Sequence, residues 1–435
     1  MSGLLPYLLA LAATGLLLAA IRGIRMVGER HGWSAEVQRK CVHVMVGLFA
    51  MFLPAIFPSR WPVVVLVVLA IAVMLLMRRR TGLLAGAGAA IHSVERKGFG
   101  DVWLAAAIGF LFLQSDGDYL LYGLPLAIIT LSDAAAALTG SAYGRRRFVT
   151  EGGVKSWEGV IAFTMVGWVT AMSMLLLFSD AERGNVILLG LVIAVFGAMV
   201  EAVSWRGLDN LFVPLAIYFF LLGFVDAAPL TLALVALGFF AGTALAQGCA
   251  SRVGLAPQTA RAFGVALFIF IGAGSLVGTI LPLLAMAAYL LSRRLIPGLG
   301  KHPDLDFLGT LCSAAAIWLF IGETAGLNAF HYYNAAMAGI VLAYGLAGLR
   351  AARRLVWSGV LTVALLVVVW VLTFSGLHFA PPPQHALLMI GISFALIWLA
   401  AIFAAPALHR WLAPRSAALA SLVPLTFYAV EASFS

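Results

Sequence analysis

Tyr119-Leu-Leu-Tyr-Gly-Leu-Pro-Leu-Ala-Ile-Ile-Thr-Leu-Ser132 runs fourteen residues without a charge. Asp133 interrupts it, and eleven more uncharged residues, Ala134 to Gly144, follow before Arg145-Arg146-Arg147. A stretch this long and apolar reads as a membrane-crossing helix. A carboxylate near its middle costs about 2.5–3.5 kcal/mol on insertion scales, so it needs a partner, a cavity or a cation. The whole chain has the same character. Of 435 residues, 63% are hydrophobic and 10% charged, against roughly 25% charged in a soluble domain. Folded in water, a chain of this size would need a polar surface that this composition lacks. Soluble enzymes, disordered proteins, disulfide scaffolds and nucleic-acid modules are thereby excluded, and Cys41, Cys249 and Cys312 form no CxxC pair. The fold class is all-α, a polytopic integral membrane helix bundle. At roughly 20 residues per crossing the length allows about 14–16 transmembrane helices.

The net charge of +9 lies in short loops between apolar runs, where it orients the chain and meets anionic lipid rather than nucleic acid. Basic stretches recur after alternate runs: Arg22 to Lys40, Arg78 to Lys97, Arg145 to Lys155, Arg206, and Arg252 to Arg261. Acidic or neutral loops such as Asp116-Gly-Asp118 and Asp180-Ala-Glu182 lie between them. Positive loops stay inside, which predicts a cytoplasmic basic face and an N-terminus outside. The apolar run at 262–292 keeps this pattern if it is a hairpin broken around Gly272 to Gly278, because every later basic cluster then returns to the cytoplasm. Residues 1–226 hold 14 of the 18 carboxylates. Reaction chemistry is therefore assigned to a membrane domain at 1–226, with 227–435 a second multi-helix membrane domain of unassigned role.

Asp133 leads the candidate residues. Gly140 and Gly144, one turn apart downstream, read either as a helix-packing face or as positions where a ligand can approach the backbone. Together with Arg145, Arg146 and Arg147 they point to a divalent cation and polyphosphate site at the membrane edge. The chain re-enters the membrane at Lys155-Ser156-Trp157-Glu158-Gly159, and Arg and Lys are the side chains that hold phosphoryl oxygens. A second cluster is Arg39-Lys40-Cys41-Val42-His43 with Gly47. At i, i+4 and i+8, Arg39, His43 and Gly47 are expected on one helix face. The third cluster runs from Glu201, after seventeen uncharged residues, to Asp209-Asn210 and Pro214. Asp209 is open to two readings, an N-cap or, with Asn210, oxygen ligands for magnesium. Glu323 is a further intramembrane carboxylate, functional or structural. His331, His378, His385 and His409 read as interfacial.

Taken in order, these clusters resemble the CTP-dependent lipid-alcohol kinases, which include dolichol kinase, phytol and farnesol kinases, and fungal-type diacylglycerol kinase. The matching pieces are Arg39-Lys40 with His43 and Gly47, then Glu95-Arg96-Lys97-Gly98. Asp133-Ala-x-Ala with Gly140 and Gly144 follows, then Lys155-Ser156-x-Glu158-Gly159, and Glu201 with Asp209-Asn210-Leu-x-x-Pro214. They cover about residues 35–220. The resemblance implies transfer of the γ-phosphoryl group of CTP to the hydroxyl of a membrane-embedded lipid alcohol, with Mg2+. It implies catalytic roles for Asp133, Arg39, Lys40 and Lys155. Nucleotide contacts would come from His43, Gly140, Gly144, Arg145 to Arg147, Ser156 and Glu158, and metal ligands from Asp133, Asp209 and Asn210. Two alternatives stand beside it: a secondary transporter of a lipid or small anion, and a related cytidylyltransferase, whose acidic, glycine-rich C-terminal signature is missing. The expected setting is multi-pass in the cytoplasmic membrane of a bacterium, and a homo-oligomer is compatible with it.

Overall fold

The computed structural model describes residues 3–78, 99–151, 153–295, 299–325, 329–347, 349, 351–374, 384–404 and 421–430. Helices dominate it, and the one sheet among the described residues is a two-stranded hairpin. Seven of the described helices are long and apolar enough to cross a membrane, and six shorter apolar helices accompany them. The chain is a multi-pass membrane protein built in two units, Met1–Ala241 and Gly242–Ser435.

The first unit contains α1 (Leu5–Arg30), α2 (Ala35–Met51), the single turn α3 (Leu53–Ile56), α4 (Arg60–Arg78), α5 (Gly100–Gln114) and α6 (Tyr119–Tyr143). The hairpin β1 (Arg147–Thr150) and β2 (Gly153–Ser156) leads into α7 (Trp157–Phe178), α8 (Arg183–Val203) and α9 (Asp209–Phe224). Helix α10 (Pro229–Val253) begins in this unit and ends in the next. Helix α6 is central and packs against α2, α7 and α9. Every residue from Tyr122 to Thr130 is buried, so the helix shows no polar stripe and reads as interior all round. Asp118 starts it, its carboxylate accepting from the N–H groups of Leu120 (2.8 Å) and Leu121 (3.1 Å).

One end of the unit is tied by tyrosines. The Tyr122 hydroxyl donates to the Ala50 carbonyl at 2.5 Å, Tyr119 to Met51 at 3.2 Å, and Tyr218 to Gln114 at 2.9 Å. Asp116 pairs with Arg60 at the same end. The opposite end gathers the C-termini of α1, α6 and α8 and the N-termini of α2, α7 and α9. There lie Arg22, Arg25, Arg30, Arg39, Lys40, Arg145 to Arg147, Lys155 and Arg206. The described basic stretches of this unit thus share one end, as the alternation along the sequence predicts. Glu95-Arg96-Lys97-Gly98 lies outside the described residues.

In the second unit, α11 (Pro257–Gly278) and α12 (Ile280–Leu295) meet at Thr279. The break falls one residue beyond the expected glycine-rich stretch. The Arg293 guanidinium donates to the Gly254 carbonyl (3.1 Å) and that of Arg294 to Arg252 (3.0 Å). The end of α12 therefore comes back beside the start of α11, and the run is a hairpin. Then come α13 (Pro303–Ala325), α14 (Phe330–Leu346), α15 (Ala351–Phe374), α16 (Gln384–Ala404) and α17 (Ser421–Val430). Helix α14 is the buried centre, packed against α12, α15 and α16. Tyr289 stacks on Phe307 with centroids 4.0 Å apart, and its hydroxyl donates to Asp304 at 2.7 Å. His331, read as interfacial, is buried inside this unit instead. It opens α14, whose whole circumference is covered by neighbouring helices. The side chains of Glu323 and His385 and the segments carrying His378 and His409 lie outside the described residues.

Candidate functional site

The basic end of the first unit brings three carboxylates together. Asp133 of α6, Glu201 of α8 and Asp209 of α9 each place one oxygen within 4.8 Å of the others. Asp133 and Glu201 are buried and Asp209 is half-buried. Like charges this close repel strongly at low dielectric, and two lysines offset them. Lys40 of α2, only 2% exposed, forms an ion pair with Asp133 Oδ2. Lys155 of β2 donates to Glu201 Oε1 at 2.7 Å and to the Glu201 backbone carbonyl. His43 Nε2 donates to the Ile129 carbonyl at 3.1 Å and stands 3.6 Å from Asp133 Oδ2.

Local structure explains how each group arrives. Ser34 caps α2, accepting from Val37 N–H at 3.3 Å, and the buried stripe of that helix is Lys40, His43, Gly47 and Ala50. This corrects the expected face. Lys40, not Arg39, lies on the buried stripe with His43 and Gly47, while Arg39 is part-buried and grips Glu36 through two hydrogen bonds at 2.6 and 3.1 Å. Gly47 permits the approach of α2 to α6. A Cβ there would sit 2.0 Å from Thr130 Oγ1.

The Lys155-Ser-x-Glu-Gly segment has a task at each position. Phe148 pairs with Lys155 across the hairpin, which holds the lysine at the bundle end. Ser156 caps α7, its Oγ accepting from Gly159 N–H at 3.1 Å. Glu158 Oε1 accepts from Arg146 N–H at 3.1 Å and so ties the loop down. Gly159 lets α7 press on α6, since a Cβ there would lie 2.9 Å from the Ala136 carbonyl oxygen. Gly140 and Gly144 belong to this same contact, facing Ser156 at 3.0 and 2.9 Å from the Cβ each lacks. Of the two readings open for these glycines, helix packing accounts for the space around both. Arg145, Arg146 and Arg147 are exposed, and Arg147 Nε donates to the Gly144 carbonyl at 3.0 Å.

Asp209 is not a cap. The N-cap of α9 is Leu208, with no side-chain cap bond, and Asp209 is the first helical residue. The turn before it is set by Arg206 (φ 54°) and Gly207 (φ 80°). A Cβ on Gly207 would come within 2.7 Å of the Gly100 backbone, so only glycine fits there. Asn210 is 7% exposed, and its Nδ2 donates to the Gly100 carbonyl at 3.0 Å. Its Oδ1 is buried with no hydrogen-bond partner among the described residues, an arrangement that is costly unless something else satisfies it. The Gly100 carbonyl and Gly207, both absent from the motif reading, brace this corner. Their sequence signal is a glycine one or two residues before an acidic residue, Gly100 before Asp101 and Gly207 before Asp209.

A phytol kinase from Synechocystis sp. (strain ATCC 27184 / PCC 6803 / Kazusa) is 28% identical to this chain over 187 residues, which are 42% of the chain and 76% of the relative. No family model matches the chain, and neither does a solved structure. The relative supports the likeness that the motifs carry: over these residues the chain is similar to a phytol kinase.

Proposed function

We propose that the first unit transfers the γ-phosphoryl group of CTP to the hydroxyl of a membrane-embedded isoprenoid alcohol of the phytol, farnesol or polyprenol type. The observation that carries this reading is the convergence of Asp133, Glu201 and Asp209 with Lys40 and Lys155 at the basic end of a membrane bundle. The donor set fits a hard divalent cation such as magnesium, since it offers three carboxylates and the unpartnered amide oxygen of Asn210. Asp133, Asp209 and Asn210, joined by Glu201, would hold it. When bound, the ion neutralises charge on the phosphoryl oxygens.

Phosphoryl transfer depends mainly on positioning and charge. In the proposed step the alcohol oxygen forms the new bond to the γ-phosphorus as the β–γ bridging bond breaks. The alcohol proton passes to a carboxylate of the cluster, and the nucleoside diphosphate leaves. Lys40 and Lys155 supply positive charge to the triphosphate from inside the site, and Arg39 and Arg145 to Arg147 from its rim. The exposed arginines also face the headgroup region, where anionic lipid would meet them. The membrane is read as the cytoplasmic membrane of a bacterium, with the basic end inside.

The test is transfer by the detergent-purified protein with CTP labelled at the γ- or the α-phosphate, with phytol, farnesol, polyprenol and diacylglycerol as acceptors. Label from the γ-position in the lipid supports the kinase, and label from the α-position would mean cytidylyl transfer instead. Asp133→Asn is expected to abolish the product. Turnover unchanged in that variant would overturn the assignment.

A further inference from the structure

Two ammonium groups stand on the carboxylates assigned to the metal. Lys40 lies on Asp133 and Lys155 on Glu201, while the three carboxylates remain within 4.8 Å of one another. We infer that Lys40 and Lys155 act as exchangeable counter-ions, holding a divalent cation out of the cluster until a nucleoside triphosphate arrives, so that metal and nucleotide enter as one complex. The inference rests on the kinase reading above and adds an order of binding to it.

The charges decide the argument. Three carboxylates against two ammonium groups leave one net negative charge, offset further by the nearby Arg39 guanidinium, and so make a poor site for a dication that enters alone. A cation taking the carboxylates would have to displace both lysines. Lys40 is 2% exposed, and an unpaired buried ammonium is strongly unfavourable. A triphosphate removes that obstacle, because its oxygens accept from the displaced lysines while the cation takes the carboxylates. Lysine suits such an exchange. It is a point charge on a flexible four-carbon stem, whereas an arginine fork would lock onto the carboxylate in bidentate fashion. Lys155 has a second anchor as well, the Glu201 backbone carbonyl, which keeps its head nearby when the carboxylate is given up. Because binding couplings are reciprocal, the cation must tighten nucleotide binding by the same factor.

The probe is Mn2+, followed by the electron paramagnetic resonance signal of the free ion, with the full-length protein in detergent, no lipid alcohol present, and the Mn2+ taken up by CTP in a protein-free sample subtracted. For the wild type, CTP is expected to tighten Mn2+ binding by about 10- to 100-fold, within the usual range of site–site coupling. In Lys155→Met, Mn2+ alone is expected to bind about tenfold tighter than in the wild type, and the gain from CTP to shrink accordingly. Lys155 is part-exposed, which makes this variant the one most tolerant of the change. In Lys40→Met, Mn2+ alone is expected to raise the thermal unfolding temperature, an effect absent from the wild type. Wild-type affinity for Mn2+ that is equal with and without CTP would overturn the inference and leave the kinase reading standing. So would a Lys155→Met protein that gains no affinity. No Mn2+ binding under either condition would remove the metal site itself, and both readings with it.

Discussion

Removing Asp133 and Lys40 separately and together separates what holds the site from what makes it work. Asp133→Asn leaves the buried Lys40 ammonium without its direct partner, and Lys40→Met leaves the Asp133 carboxylate likewise. Both side chains are at least nine-tenths buried. At 4 Å two unit charges attract by about 4 kcal/mol at an effective dielectric constant of 20, and removing one member of a buried pair costs about 3–5 kcal/mol. Each single variant should therefore lose about that much stability. The double variant Lys40→Met/Asp133→Asn keeps the approximate volumes and buries no unpaired charge. It should lose less than the sum of the singles, with a coupling of about 2–4 kcal/mol, near the upper range for groups in contact. The assay is unfolding in mixed micelles as the fraction of denaturing detergent rises, with phosphoryl transfer measured on the same samples. Stability should largely return in the double variant while transfer stays absent. Additive losses, within about 0.5 kcal/mol, would refute the buried pair.

Three further outcomes follow from the geometry. Gly47→Ala places a Cβ 2.0 Å from Thr130 Oγ1; it should lower stability by about 1–3 kcal/mol, and adding Thr130→Ala should recover part of the loss in the same unfolding assay. Gly207→Ala adds a Cβ against the Gly100 backbone at φ 80°. It should cost at least about 1–2 kcal/mol in backbone strain and lower kcat, since Asp209 and Asn210 sit on the turn it distorts. Ser156→Ala removes the cap of α7 and should cost about 1 kcal/mol, with Ser156→Thr restoring most of it.

The bundle was legible because composition and the length of the apolar runs act locally along the chain. The basic end was legible because charge is too costly to bury at random, which also singled out Asp133 and Glu201. The pairing of Lys40 with Asp133 and of Lys155 with Glu201 was not, since 93 and 46 residues separate the partners and no local spacing reports on such contacts. Arg39 and Lys40 are neighbours, and only the packing of α2 on α6 decided which of them faces inward. Asp209 looked equally like a cap until Leu208 proved to hold that position without a side-chain bond. Gly140 and Gly144 could serve a ligand or a helix in sequence terms. The helix claimed them once Ser156 and Gly159 were seen against them.

The contacts between α2 and α6 also bear on how a greasy substrate gets in. These helices are pinned at three levels: Tyr122 on Ala50, Gly47 on Thr130, and Lys40 on Asp133. On the other flank of α6, Gly140 and Gly159 bring α7 into backbone contact. On both flanks the central helix is thus held in close contact with its neighbours at these points. On the kinase reading proposed above, the acceptor's chain would then enter away from these contacts. Acceptor length should then be selected far from the phosphoryl chemistry, by side chains that never touch the reacting hydroxyl.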